Sequence, residues 1–366
     1  MKKLLLCVLG IALLGAITVL RPMPKQPQAP EAPKDPIMEK IKAMTPAQKA
    51  GQLMLVGLEG TEPSEAFIKE LKQNQYGGVI LFDSNLQSAE QTKQLTGKLQ
   101  SLSTESRLFI GVDEEGGQVA RMKSFVEPPP SEAAIGRTGE PKQAEQWARK
   151  TAGKLKQMGF NLNLAPVADL GSANERSYSS NPATVSKFVE GALQGYQKAH
   201  LLATLKHFPG LGKGKADTHV DEVVVDAAKD TLLREDVKPF QDAMEQFPTE
   251  AFAIMVTHVR YPSLDPDHPA SLSKAIMTDL LRAQLQYKGI VMTDDLGMGA
   301  ISKHVDMEQA GVEAVKAGAD LVMICHNPEW IRAMHRGLTK AIEDGTLPEQ
   351  RVDEALYRVL KAKEGL

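Results

Sequence analysis

The chain has 366 residues, of which 42% are hydrophobic, and a formal net charge of −3. That length buries a large core, as one big α/β domain or two ordinary ones, and the composition excludes disordered and collagen-like classes. Lysine and arginine are spread rather than clustered, so the chain offers no basic footprint for nucleic acid.

Met1-Lys2-Lys3 followed by the apolar run Leu4 to Leu20 has the pattern of a secretory signal or an N-terminal membrane anchor, with the anchor slightly favoured because no small-x-small cleavage site follows cleanly. Cys7 lies too early in that run to be the acylated cysteine of a lipoprotein signal. Residues 21–36 (RPMPKQPQAPEAPKDP) are Pro-rich and polar, a semi-extended spacer. The expected organisation is therefore 1–20 signal or anchor, 21–36 linker and 37–366 folded domain, exported to the periplasm or cell envelope. The two cysteines, Cys7 and Cys325, supply no disulfide framework. Without a C-x-x-C or H-E-x-x-H spacing, neither a metal nor another cofactor is expected.

Thr45-Pro46-Ala47-Gln48 predicts a helix start, with Thr45 as N-cap, Pro46 in the first turn and Gln48 closing a capping box. Short apolar runs then recur at 52–57, 78–82, 108–112, 162–167, 201–205, 252–257, 290–293 and 321–325. Segments of helical period lie between them, among them 88–102, 142–158, 182–200, 231–245, 273–286 and 308–317. Strands alternating with helices in this number predict a single-domain (β/α)8 barrel of the TIM type, whose active site lies at the C-terminal ends of the strands. An open doubly wound sheet is the alternative, but no G-x-G-x-x-G follows the first strand.

The predicted strand exits are polar. The third run leads into Asp113-Glu114-Glu115-Gly116-Gly117 and Arg121, and the fourth through Asp169 to Glu175-Arg176-Ser177. The fifth ends at Lys206-His207, the sixth at His258, the seventh at Asp294-Asp295 and the eighth at Cys325-His326. After Lys206 the chain breaks into a loop of Pro, Gly and Lys that reaches Asp217 and His219, where a carboxylate can orient an imidazole that trades protons near neutral pH.

A carboxylate and a proton donor on opposite sides of a pocket are the minimum for glycoside cleavage through an oxocarbenium-like transition state, at roughly 5–5.5 Å in retaining carboxylate pairs. In this reading Asp294 is the nucleophile and His219, held by Asp217, is the acid/base. An imidazole near its reference pKa of about 6.5 can give and then take a proton without adding a second negative charge beside Asp294. Asp113, Arg121, Arg176 and Lys206 are the fixed polar groups that would hold sugar hydroxyls or an acyl oxygen.

Several of these motifs, in collinear order from about Thr45 onward, resemble glycoside hydrolase family 3: Lys206–Gly210 with its following Asp217-Thr218-His219, the D-E-E-G-G-x-x-x-R element at Asp113–Arg121, Glu175-Arg176-Ser177-Tyr178, and Met292-Thr293-Asp294-Asp295-Leu296-Gly297-Met298. The likeness is to its bacterial single-domain β-N-acetylglucosaminidase branch. It implies a retaining exo-acting hydrolase that removes N-acetylglucosamine from peptidoglycan-derived or chitin-like fragments. Asp294 matches the nucleophile and the Asp217/His219 pair the acid/base loop, while Asp113, Arg121, Arg176, Lys206, His207 and His219 line the sugar subsite. A carbohydrate substrate and a monomer follow as expectations; β-glucosidase activity and a non-catalytic, membrane-tethered glycan-binding protein are the alternatives. Leu211 and Gln118 depart from residues common in the family, at positions that bear on leaving-group or acceptor preference. The second domain usual in family 3 β-glucosidases is not expected.

His200, His304 and His335 are expected on helix surfaces, and Cys325 as a small buried hydrophobe. His258 and His326 are expected as partners of the catalytic groups, and Asp295 to point away from its neighbour and serve structure.

Overall fold

The computed structural model describes residues 35–171, 174–212, 214 and 221–366. Residues from Pro36 to Leu366 form one unit. Its first well-capped helix, Pro46–Gln52, begins as expected: Gln48 N–H donates to Thr45 Oγ1 at 3.3 Å, and Thr45 N–H to Gln48 Oε1 at 2.9 Å.

Eight strands close into a barrel in chain order. They are β1 (Met54–Gly57), β2 (Gly78–Leu81), β3 (Phe109–Val112), β4 (Leu162–Asn163), β5 (Leu202–Phe208), β6 (Phe252–Val256), β7 (Val291–Asp295) and β8 (Leu321–Ile324). Every barrel pair is parallel, and closure sets Met54 against Val322 and Leu55 against Met323. Successive side chains alternate between two apolar cores, as the period of two in a strand requires. Leu55, Ile80, Phe109, Leu162, Met255, Met292 and Met323 fill the barrel. Their neighbours Val56, Val79, Ile110, Ile254, Val291 and Val322 join the larger core made with the surrounding helices.

Three stretches differ from the sequence reading for local reasons. The fourth run forms a ladder only over β4; Pro166 has no N–H to donate, and pairing resumes as a single bridge between Val167 and Lys206. The fifth strand continues past Leu205, with Lys206 and His207 still inside it. The helix expected at 231–245 is two, Lys229–Arg234 and Lys238–Gln246, with Val237 N–H turned back to the Leu232 carbonyl between them.

The histidines outside the barrel mouth also divide. His200 and His304 are exposed, each in the turn after a helix rather than within it. His335, expected at the surface, is buried: its Nε2 lies 2.9 Å from the Ala47 carbonyl and its ring stands edge-on to Tyr76. That contact joins helix Pro328–Glu343 to helix Pro46–Gln52, a tertiary pairing to which helical periodicity is blind.

Candidate active site at the barrel mouth

β3 delivers Asp113 and leads directly into a short antiparallel hairpin, Glu114–Gly116 paired with Val119–Ala120. Its turn needs Gly116 at φ +116° and Gly117 at φ +57°, a region that side-chain-bearing residues seldom adopt. The return strand brings Arg121 back over the exit. Its N–H donates to Glu114 Oε2 at 2.9 Å, its guanidinium reaches Asp113 at 3.5 Å and lies 5.3 Å from the centre of the Phe82 ring. Burial pushes the Glu114 carboxyl up to about 7, against the opposing effect of the two N–H groups, from Met122 and Arg121, that it accepts.

The Lys206 ammonium enters from β5 and is buried. It stands 2.7 Å from Asp113 Oδ1 and 2.6 Å from Glu115 Oε1. Arg176 closes the cluster with a fork, Nε and Nη2 each donating to Glu115 at 2.8 Å. Two cations and two carboxylates balance, which makes the burial tolerable. Burial raises the Glu115 carboxyl, but Lys206 and Arg176 outweigh it and hold the group down at about 2. Burial likewise works against the Lys206 ammonium, and Asp113 and Glu115 overcome it, so its pKa is raised.

His207 follows Lys206 and meets the buried Asp169, with Nδ1 2.7 Å from Oδ2. Burial raises the Asp169 carboxyl, yet His207 and the backbone donors hold it below its ordinary value. An ionised Asp169 fixes the proton on Nδ1 and leaves Nε2 without a hydrogen-bond partner among the described residues. The other Asp169 oxygen accepts the N–H groups of His207 at 3.2 Å and Leu211 at 2.7 Å, so this carboxylate also fixes the start of the Pro-Gly loop.

Asp294 lies half-buried at the end of β7. Burial works against its charge, but His258, His207 and Lys206 nearby, with the Asp295 N–H at 2.8 Å, hold the carboxyl below its ordinary value. Asp295 does separate work: its Oδ1 accepts from Gly297 N–H at 2.9 Å and from Cys325 N–H at 3.0 Å, tying β7 to the exit of β8. Burial, the largest cause, raises its pKa. His258 sits behind the pair, with Nε2 donating to the Asp295 carbonyl at 2.8 Å and Nδ1 2.7 Å from Ser271 Oγ, and burial lowers its pKa.

One mouth thus gathers Asp113, Arg121, Arg176, Lys206, His207 and Asp294. Asp217 and His219 lie outside the described residues. Glu175, from the same motif as Arg176, turns away to Ser131 and Arg137. Glu115, which holds Lys206 and Arg176 in place, and Asp169, which orients His207, had only their positions at strand exits to mark them in the sequence. His326 is exposed, its ring 5.0 Å from that of Phe82.

The model of the Glycosyl hydrolase family 3 N terminal domain matches residues 45–362. The chain belongs to glycosyl hydrolase family 3. A beta-hexosaminidase of Stenotrophomonas maltophilia is 36% identical over 77% of the chain and 86% of its own length. Beta-hexosaminidase A of Pseudoalteromonas piscicida is 33% identical over 79% of the chain, which spans about half of that protein, 53%. The solved structure of a glycoside hydrolase family 3 beta-N-acetylglucosaminidase from Paenibacillus superposes with a TM-score of 0.85 at 35% identity, over 88% of the chain and 63% of the Paenibacillus protein. The barrel expected from the alternating pattern is the one these family members share.

Proposed function

We propose that the chain is a retaining, exo-acting β-N-acetylglucosaminidase that removes terminal N-acetylglucosamine from peptidoglycan-derived or chitin-like fragments. The observation that carries this reading is the Asp294 carboxylate, kept ionised at the end of β7 beside the buried Lys206 and the imidazoles of His207 and His258. Asp113, Arg121, Arg176, Lys206 and His207 hold the hydroxyls of the terminal sugar with its anomeric carbon over Asp294. The Asp294 oxygen bonds to that carbon as the glycosidic C–O bond breaks, and His219, oriented by Asp217, gives its proton to the departing oxygen. The neutral imidazole then takes a proton from water, whose oxygen displaces Asp294 and releases the sugar. The names of the family relatives support the choice of sugar.

Incubation with a chromogenic N-acetyl-β-glucosaminide tests the reading. Release that disappears in Asp294→Ala supports it; release no greater than that of Asp294→Ala leaves a glycan-binding protein. Faster turnover of glucosides than of N-acetylglucosaminides makes the enzyme a β-glucosidase.

A further inference from the structure

His258 and Ser271 are both fully buried, so neither meets a sugar bound in the mouth, yet they stand directly behind Asp294 and Asp295. The chain leaves β6, passes His258 and returns through residues 261–269 to a single turn at Ala270–Leu272. Two backbone bonds fix that return on either side of His258: Ala270 N–H donates to the Val259 carbonyl at 2.9 Å, and Ser271 N–H to the Thr257 carbonyl at 3.0 Å. The Ser271 hydroxyl is thereby held 2.7 Å from His258 Nδ1.

The hydrogens follow from what each partner can do. A carbonyl only accepts, so the Nε2 that lies 2.8 Å from the Asp295 carbonyl carries its hydrogen. In the neutral ring Nδ1 is then the acceptor for the Ser271 hydroxyl, whose hydrogen has no other acceptor among the described residues. Burial lowers the pKa of the ring against the pull of Asp294, which works in the same direction as this arrangement.

Asp295 passes the constraint to Asp294. Its carbonyl accepts from His258 and from Met298 N–H at 2.9 Å, its carboxylate accepts from the N–H groups of Gly297 and Cys325, and its own N–H donates to Asp294 Oδ1 at 2.8 Å. The bonds from Met298 and Gly297 are local to the turn. Those from His258 and Cys325 clamp residue 295 from the exits of the two flanking strands, β6 and β8.

We propose that Ser271 and His258 are positioning residues for the Asp294 carboxylate: the Ser271 hydroxyl locks the imidazole with its Nε2–H on the Asp295 carbonyl, and the peptide so fixed holds the nucleophile at its attacking angle. The proposal rests on the glycosidase reading above, and deepens it by assigning what orients the attacking group.

Single-turnover reaction of a nitrophenyl N-acetylglucosaminide tests it, because it reads the first-step rate apart from binding. Ser271→Ala is expected to lower that rate by about five- to tenfold, the worth of one hydrogen bond, while the inhibition constant of N-acetylglucosamine stays within about twofold of wild type. His258→Leu removes both bonds and is expected to lower the rate by about 10²-fold. His258→Gln, whose amide can donate from the place of Nε2, should recover about tenfold of that loss. Ser271→Ala deletes a single oxygen and carries the test even where His258→Leu does not fold. Ser271→Ala at the wild-type first-step rate overturns the proposal, as does a folded His258→Gln no faster than a folded His258→Leu. A loss of rate matched by an equal loss of N-acetylglucosamine binding overturns it too, since that is the mark of a disturbed mouth. A wild-type protein that releases no nitrophenol overturns the glycosidase reading and the positioning with it, whereas an active wild type with an unchanged Ser271→Ala overturns the positioning alone.

Discussion

Glu115 receives both Nε and Nη2 of Arg176, each at 2.8 Å, and the same carboxylate lies 2.6 Å from the Lys206 ammonium. Removing it takes away the ionic partner of the half-buried Arg176 and leaves the buried Lys206 with Asp113 alone. Glu115→Ala is expected to cost about 3–5 kcal/mol of stability, as breaking a buried ion pair does, read from denaturant unfolding at neutral pH. Because its carboxyl is held at about 2 from an ordinary 4.5, its contribution is present above about pH 4.5 and is lost as pH falls through 2. Glu115→Gln should flatten that acid limb. An acid limb unchanged in this variant would remove Glu115 from the account.

Glu114 titrates in the opposite sense. Burial raises its folded pKa to about 7 from 4.5, so its contribution is fully present below 4.5 and is lost as pH rises through 7. Glu114→Gln keeps an oxygen for the Arg121 and Met122 N–H groups without the charge. It should gain stability relative to wild type between pH 5 and 8, by up to ~3 kcal/mol for a shift of this size. Parallel unfolding curves at pH 5 and pH 8 would contradict this, and a lowered kcat/KM at unchanged stability would show that Arg121 had lost its position.

If His219 is the acid/base, its variant should fail selectively. His219→Ala is expected to lose about 10²–10⁴-fold on substrates with poor leaving groups, which need a proton, while keeping much of its first-step rate with an activated aryl group. Azide should speed its second step, since a small anion attacks the glycosyl-enzyme without a base. Asp217→Ala should fall between His219→Ala and wild type. Equal losses on both substrate kinds and no azide response would make His219 a binding residue.

The location proposed from the N-terminus has its own test. An anchored protein sediments with membranes and becomes soluble and active when the residues before about Pro36 are deleted, because the folded unit begins there. A mature N-terminus at Ala16 or later would show a cleaved signal instead.

The barrel was legible because buried parallel strands are short apolar runs, and all eight coincide with or overlap a run in the sequence. The polar exits were legible because functional groups collect there: Asp113, Lys206 and Asp294 each follow or end such a run. What the sequence concealed were pairings across the mouth. Glu115 reads as one of two adjacent glutamates, and only the hairpin turned at Gly116 separates it from Glu114, one carboxyl held at about 2 and the other at about 7. Asp169 and His335 were similarly obscure, since their partners His207 and Ala47 lie 38 and 288 positions away along the chain.

Covalent trapping tests the central assignment most directly. A fluorinated N-acetylglucosamine derivative with an activated leaving group forms the glycosyl-enzyme faster than water releases it, so the adduct persists for digestion and mass spectrometry. One added glycosyl mass is expected, on the peptide that contains Asp294 and at that residue, with no adduct in Asp294→Ala. A glycosyl mass on any other residue, or turnover of the N-acetylglucosaminide by Asp294→Ala at the wild-type rate, would contradict it.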